Sequence, residues 1–106
     1  MAKPVRLRQL AATDLQNASE FYRQQGGEQT ALAFIDVVER AIRRIGRNPK
    51  VGSLKFAYEL AIPDLRAWPV SRFPFIVFYV DAEEIVDVWR ILHAHRDIPA
   101  TLQQST

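Results

Sequence analysis

The chain has 106 residues, of which 48% are hydrophobic and 25% charged, a balance that is ordinary for one globular domain with a modest core. It contains no cysteine, which excludes a disulfide framework and a thiolate metal site. No apolar run is long enough to cross a bilayer or to serve as a signal peptide. We therefore expect a cytoplasmic protein that does not use a membrane.

Arginine supplies eleven of the fourteen basic residues, although the formal net charge is only +2. A planar guanidinium suits phosphate and carboxylate partners better than an ammonium group does. A nucleic acid or an acidic protein is therefore one interpretation of this composition. The alternative is that the arginines reflect the composition of the genome and carry no information on partners.

The first half of the chain predicts one strand and two helices. Residues 5–8 alternate apolar and basic side chains, as in a short half-exposed strand. Thr13 and Gln16 have the spacing of a capping box, which predicts a helix that ends at Gly26 and Gly27. A second apolar stripe predicts a helix over residues 29–45, stopped by Gly46 and by the Asn-Pro pair after it. The short connection between the helices predicts an antiparallel hairpin.

Three arginines gather at the end of this second helix, at positions 43, 44 and 47. Cations there complement the helix macrodipole, so a solvated and well-capped helix end is the favoured interpretation. A patch for nucleic acid is the alternative.

The second half of the chain predicts strands. Residues 52–64 are expected to form a loop, with a short edge segment near residues 56–58. Residues 65–70 alternate as a short or edge strand because Pro69 cannot donate to a ladder. Residues 75–80 suit a central strand, and a turn over 81–84 leads into a returning strand over 85–92. Pro99 and the polar residues after it predict a frayed tail over 98–106.

These elements predict an α+β fold of order β-α-α-β-β-β in a single domain over residues 1–106. Successive hairpins imply a mainly antiparallel sheet with the helical hairpin packed on one face. The opposite face is expected to be partly bare and to carry the function.

The candidate functional residues are basic and follow the predicted strands. We expect Arg66, Arg72, Arg90, His93 and Arg96 to converge on the bare face as a surface that binds a macromolecular target. For Arg90 the alternative is an ion pair with a carboxylate such as Asp87 or Glu59, and for His93 it is a purely structural role at the strand end.

Chemistry at this surface would depend on histidine. In an RNA-cleaving site the arginines could stabilise a phosphorane while His93 or His95 transfers a proton near neutral pH. The two histidines share a strand face, but only Asp97 is near enough in sequence to be a third metal ligand, so no metal site is predicted. No glycine-rich phosphate loop or serine elbow is present, and no cofactor is expected. Trp68 and Trp89 are predicted to fill core positions rather than to stack on bases.

The order of motifs resembles the RelE/ParE superfamily of toxins from bacterial type II toxin–antitoxin systems. The resemblance covers nearly the whole chain, and its most specific blocks are FIVFY at 75–79 and RILHAHRD at 90–97. The second block is similar to the Arg-Val-Leu-His-x-x-Arg-Asp pattern of the ParE branch. Ile91 departs from its valine, and His95 fills a variable slot.

The resemblance implies a cytoplasmic toxin that is neutralised by a cognate antitoxin wrapped along its helices and sheet. In the ParE branch the target is DNA gyrase, and no catalytic residue is needed. In the RelE branch the toxin cuts mRNA on the ribosome, and the catalytic candidates here would be Arg66, Arg90, His93 and His95. The sequence favours the ParE branch because its middle region has only two lysines, Lys50 and Lys55, and no tyrosine follows Tyr79.

Overall fold

A computed structural model describes residues 2–105 and contains seven elements. In chain order these are β1 (Val5–Leu7), α1 (Gln9–Arg47), α2 (Lys55–Leu60), β2 (Leu65–Pro69), β3 (Phe75–Asp81), β4 (Val86–His93) and α3 (Ile98–Gln103). The four strands form one sheet of order β1-β4-β3-β2. β1 runs parallel to β4, and the other pairs are antiparallel. The predicted α+β class and mainly antiparallel sheet are confirmed.

The helical hairpin is built from α1, which is interrupted at a single residue. Gly27 has a φ of 86°, a left-handed value that glycine adopts without steric cost. It divides α1 into an N-terminal arm (residues 9–26) and a C-terminal arm (residues 28–47). The ring centroids of Tyr22 and Phe34, one from each arm, lie 5.0 Å apart. The predicted hairpin is therefore present.

The predicted capping box is wrong. α1 begins at Gln9, four residues earlier, and Thr13 lies inside the helix. The backbone N–H of Arg8 still donates to Val88 of β4, while its carbonyl already accepts from Ala12. The chain therefore passes from the sheet ladder directly into the helix, and no side-chain cap is required.

One face of the sheet packs against both arms of α1. The buried side chains of this first core come from the two arms, from β3 and β4, and from the residue that follows β2: Ala11, Ala18, Phe34, Val37, Val38, Ala41, Ile45, Val70, Phe75, Val77, Tyr79, Val86, Val88 and Ile91. The alternate residues of β3 and β4 point to the other side of the sheet.

The other face is covered, so the predicted bare face is wrong. A second core there joins residues of β2, β3 and β4 to residues of α3 and of the segment after α2: Ile62, Leu65, Ala67, Phe78, Leu92, Ile98 and Leu102. Phe56, Ala57 and Leu60 of α2 pack against it. Phe78 contacts Phe56 of α2 edge-on, with ring centroids 5.2 Å apart. The sheet is therefore a middle layer.

The prediction of a frayed tail over 98–106 is also wrong where the structure describes it. Asp97 caps α3 by accepting from the N–H of Ala100, and Pro99 stands in the first turn, where its missing N–H costs nothing. Ile98 and Leu102 lie four residues apart on one side of α3 and are buried. The last residue of the predicted tail, Thr106, lies outside the described residues.

Tyr79 anchors the connection between α1 and α2 to the centre of the sheet. Its side chain is fully buried, and its hydroxyl donates to the carbonyl of Pro49 (2.7 Å) and accepts from the N–H of Gly52 (2.9 Å). A Cβ atom at position 52 would lie 2.7 Å from that hydroxyl, so only glycine fits. Burial raises the pKa of Tyr79 above its usual value.

Tyr79→Phe should lower the free energy of unfolding by about 1–3 kcal/mol at neutral pH, since it leaves two backbone groups without a partner. Because the pKa of Tyr79 is higher in the folded than in the unfolded chain, the hydroxyl stabilises the fold fully below the unfolded-state pKa and loses this effect as pH rises through the folded-state pKa. Urea unfolding between pH 8 and 11 should show a steeper alkaline loss for the parent chain than for the variant. Parallel curves would contradict this assignment.

Candidate functional site

Arg90 is held in a buried ion pair. Its Nε and Nη2 atoms donate to the two carboxylate oxygens of Asp14 at 2.7 and 2.8 Å, and Nη1 donates to the hydroxyl of Ser105 at 2.9 Å. The side chains of Arg90 and Asp14 are 10% and 9% exposed. These hydrogen bonds to Asp14 raise the pKa of Arg90 above its usual value, so the guanidinium remains charged.

Neither carboxylate considered from the sequence is the partner of Arg90. Asp87 pairs instead with Arg8, whose Nη2 atom lies 2.9 Å from its carboxylate. Asp14 was missed, although its position carries a signal: it lies three residues after Ala11 and four before Ala18, within the buried stripe of α1. A carboxylate on a buried helix face needs a buried cation.

Arg66 is occupied by backbone acceptors. Its Nη1 atom donates to the carbonyls of Lys50 and Gly52 at 3.0 and 2.8 Å. Arg66 pairs across the sheet with Tyr79, so its side chain leaves the sheet on the face that packs on α1. This contact fixes the chain that follows α1 against β2.

Arg66 and Arg90 do not converge, and a β-bulge is the reason. Near the β3–β4 turn Tyr79 pairs with Val88, but beyond the bulge Phe78 pairs with Arg90, so Trp89 is the extra residue. In an unbroken register Trp89 would pair with Phe78 and Arg90 with Val77, and Arg90 would then share the face of Arg66. The single insertion places the two arginines on opposite faces. The expectation that both belong to one surface is wrong.

The remaining predicted residues lie together at one end of the sheet. Arg72 lies in the turn between β2 and β3, and His93 is the last residue of β4, paired with Phe75 at the start of β3. Backbone bonds from Ala94 to Pro74 and from Arg96 to His93 hold the segments together. We call the set Arg72, His93, His95 and Arg96 the basic rim. Arg72, His95 and Arg96 are exposed and His93 is half-buried.

His93 has a defined setting within the basic rim. Its Nδ1 atom accepts from the backbone N–H of His95 at 3.1 Å, which leaves Nε2 to carry the proton of the neutral ring. The ring contacts Phe75 edge-on, with centroids 5.2 Å apart. A cavity of about 220 Å³ beside it is lined by His93, Arg96 and residues of the N-terminal arm. The rim thus combines one oriented imidazole with free cationic side chains.

Aromatic packing makes the base of the rim rigid. The rings of Tyr22, Phe34, Phe73 and Phe75 form a cluster with centroid separations of 4.9 to 6.1 Å. Phe73 belongs to the same turn as Arg72, whose guanidinium carbon lies 6.0 Å from the Phe73 ring centroid. The turn is therefore held against the helical hairpin.

The two tryptophans take the packing roles that were predicted for them. Trp68 packs against the first core and Trp89 against the second, and both are half-buried. Each carries a guanidinium over its ring, Arg44 at 5.8 Å and Arg8 at 4.2 Å from the centroid. Neither ring is presented to bases.

No cluster of three or more His, Asp or Glu side chains within residues 2–105 could hold a metal ion. None of the helices in this range has the length and hydropathy needed to cross a membrane.

The sequence and the fold match a known class of toxin. The family model described as "ParE toxin of type II toxin-antitoxin system, parDE" matches residues 5–98. The chain belongs to this ParE toxin family, and its partner class is accordingly an antitoxin protein. A solved structure titled "Chromosomal ParDE TA system from P. aeruginosa" superposes with a TM-score of 0.74 at 18% identity, over 89% of this chain and 98% of that chain. At that identity the likeness concerns the fold. The comparison with curated proteins gives no match.

Asp14→Asn should destabilise the fold strongly, because it leaves the guanidinium of Arg90 buried without a counter-charge. Loss of one partner of a buried pair costs about 3–5 kcal/mol, whereas an exposed pair is worth less than about 1 kcal/mol. Asp36→Asn is the matched control, since Asp36 pairs with Arg40 on the exposed side of the same helix. Urea unfolding of both variants measures the difference. Equal losses would show that Asp14 has no special structural role.

Proposed function

We propose that this protein is a toxin that inhibits DNA gyrase and is neutralised by its cognate antitoxin. The match of the ParE family model to residues 5–98 carries the proposal. A ribosome-dependent mRNA endoribonuclease is the second candidate, favoured by the grouping of His93, His95 and Arg96 on the basic rim.

The contacts of the arginines support an inhibitor that works by binding. In the nuclease candidate, Arg66 or Arg90 would stabilise charge on the phosphate. Arg90 is engaged by Asp14, and Arg66 is engaged by two backbone carbonyls. The side chains of these two arginines also leave the sheet on opposite faces. A role as a structural charge fits Arg90 better than a role in catalysis.

The basic rim is the surface that we assign to the target. Arg72 and Arg96 are exposed on a rigid base, which suits a protein interface in which arginine side chains act as anchors. His93 is oriented by its hydrogen bond and adds a polar group at the centre. Arg66 and Arg90 would act on target binding only through the fold.

Arg72→Ala combined with Arg96→Ala should weaken inhibition of purified gyrase at least about tenfold, because two exposed anchors each contribute more than about 1 kcal/mol. The measurement is the toxin concentration that halves supercoiling of relaxed plasmid. Arg6→Ala combined with Arg23→Ala removes the same charge elsewhere and should leave that concentration unchanged. Full inhibition by the rim variant would refute the assignment of the surface.

The same preparations distinguish the second candidate. Purified ribosomes with a defined message should remain uncut in the presence of the parent chain, while gyrase is inhibited. Cleavage that His93→Ala abolishes, together with active gyrase, would establish the nuclease and overturn the proposal.

A groove along the N-terminal arm is the surface that we assign to the antitoxin. Its volume is about 790 Å³, and its apolar lining includes Leu7, Ala12, Leu15 and Ile35. It lies between β1 and the two arms of α1. An amphipathic segment of a partner could bury its apolar side there.

Ala12→Arg should weaken antitoxin binding at least about tenfold, since the long side chain projects from an exposed position into the groove. Ala100→Arg, at an exposed position of α3, is the matched control. Calorimetry with the antitoxin encoded beside the toxin measures both affinities. If the two variants bind equally well, the groove is not the antitoxin site.

A further inference from the structure

A second basic surface lies between the C-terminal arm and the edge strand β2. Arg40, Arg44 and Arg47 line a cleft of about 240 Å³ whose other wall is formed by residues 68–71. No Asp or Glu contributes to its lining. We call this feature the arginine cleft.

The charge of the chain is concentrated in this region. Residues 40–50 hold five of the fourteen basic residues and none of the twelve acidic ones, so they carry +5 while the formal net charge of the whole chain is +2. Among the described residues only Arg40 of the three cleft arginines has a carboxylate partner, Asp36 at 2.8 Å. Complementing the macrodipole at the end of α1 needs one or two cations, not five.

The cleft arginines form a row. Positions 40, 44 and 47 recur on one side of the helix, and seven residues rise by about 10.5 Å along the axis. Duplex DNA presents a phosphate on each strand about every 3.4 Å of its axis, so the row spans about three phosphates. A straight row of cations complements a straight polyanion.

The aromatic wall of the cleft favours a duplex over a single strand. Trp68 is half-buried, and the guanidinium of Arg44 lies over its ring. Single strands are held by stacking of unpaired bases on free aromatic faces, and this ring is already covered. Arg44, in cation–π contact with Trp68, lines the cleft, where a phosphate can accept from it.

We propose that the arginine cleft binds the phosphodiester backbone of duplex DNA without sequence preference. This proposal does not depend on gyrase being the target. Phosphate contacts of this kind position a protein on DNA and carry no base readout. They also make the affinity fall steeply with salt, because each neutralised phosphate releases counterions.

The test measures anisotropy of the full chain with fluorescent 20-base-pair duplexes of two unrelated sequences. With three phosphates neutralised, affinity should fall about 40-fold between 50 and 200 mM salt, equally for both sequences. Arg44→Ala combined with Arg47→Ala should reduce this fall to about 3–4-fold and weaken binding at 50 mM salt at least about tenfold. Arg44→Lys combined with Arg47→Lys should retain the parent slope.

The controls separate the cleft from general charge. Arg6→Ala combined with Arg23→Ala removes the same charge elsewhere and should leave affinity and slope unchanged, and thermal unfolding checks that each variant folds. The proposal is overturned if the parent chain does not bind duplex at 50 mM salt, or if the two alanine pairs weaken binding equally. Equal or tighter binding of polyglutamate would overturn it in favour of an acidic protein, and tighter binding of single strands would exclude the duplex assignment.

Discussion

The carboxylate of Asp14 determines how the helical hairpin meets the sheet. β1 pairs with β4 only as far as Val88, so within residues 2–105 the edge of β4 beyond it has no neighbouring strand. Asp14 occupies that place, accepting the N–H of Ile91 at 3.0 Å together with the guanidinium of Arg90. A helix side chain thus takes over the hydrogen bonding of a missing strand, in a setting where an unpaired N–H would be costly.

The same contact ties three layers together. Asp14 belongs to the helical hairpin, Arg90 to the sheet, and Ser105, which also accepts from Arg90, follows α3. With α2 and α3 on its second face, the sheet has little free surface. The surfaces left for partners are therefore the end of the sheet, the outer side of α1 and the cleft beside β2. The exposed cations of the basic rim and of the arginine cleft accordingly lie on turns and near the end of α1 rather than on strand faces.

Sequence patterns predicted the elements better than their faces. The strands at 75–80 and 85–92 are long apolar runs, and the helix break at Gly27 follows from a glycine pair, so local composition was sufficient for these features. The covered second face was not predicted, because Ile98 and Leu102 stand in a short, mostly polar stretch. Their pattern alone does not show that they pack on the sheet. The predicted capping box is wrong because Thr13 and Gln16 have the required spacing but lie inside a helix that begins at Gln9.

The predicted convergence of Arg66 and Arg90 on one face is wrong for a different reason. Alternation along a strand gives the face of a residue only while the register is unbroken, and the bulge at Trp89 inverts it for Arg90. Nothing in the local residue types distinguishes Trp89 as the inserted residue. Arg72, His93 and Arg96 do lie at one end of the sheet, because they stand at or beyond strand ends, whose proximity follows from hairpin topology alone.

The basic rim and the arginine cleft meet at one turn. Ser71 lines the cleft, and its neighbour Arg72 belongs to the rim, so the two surfaces adjoin at this turn. Arg72 has a φ of 70°, and its turn is held by backbone bonds from Val70 to Phe75 and from Phe73 to Ser71. A target that is itself bound to DNA would offer protein surface and phosphate side by side. A rigid turn of this kind would let one toxin contact both, and the two contacts would reinforce each other through effective concentration rather than through a change of shape.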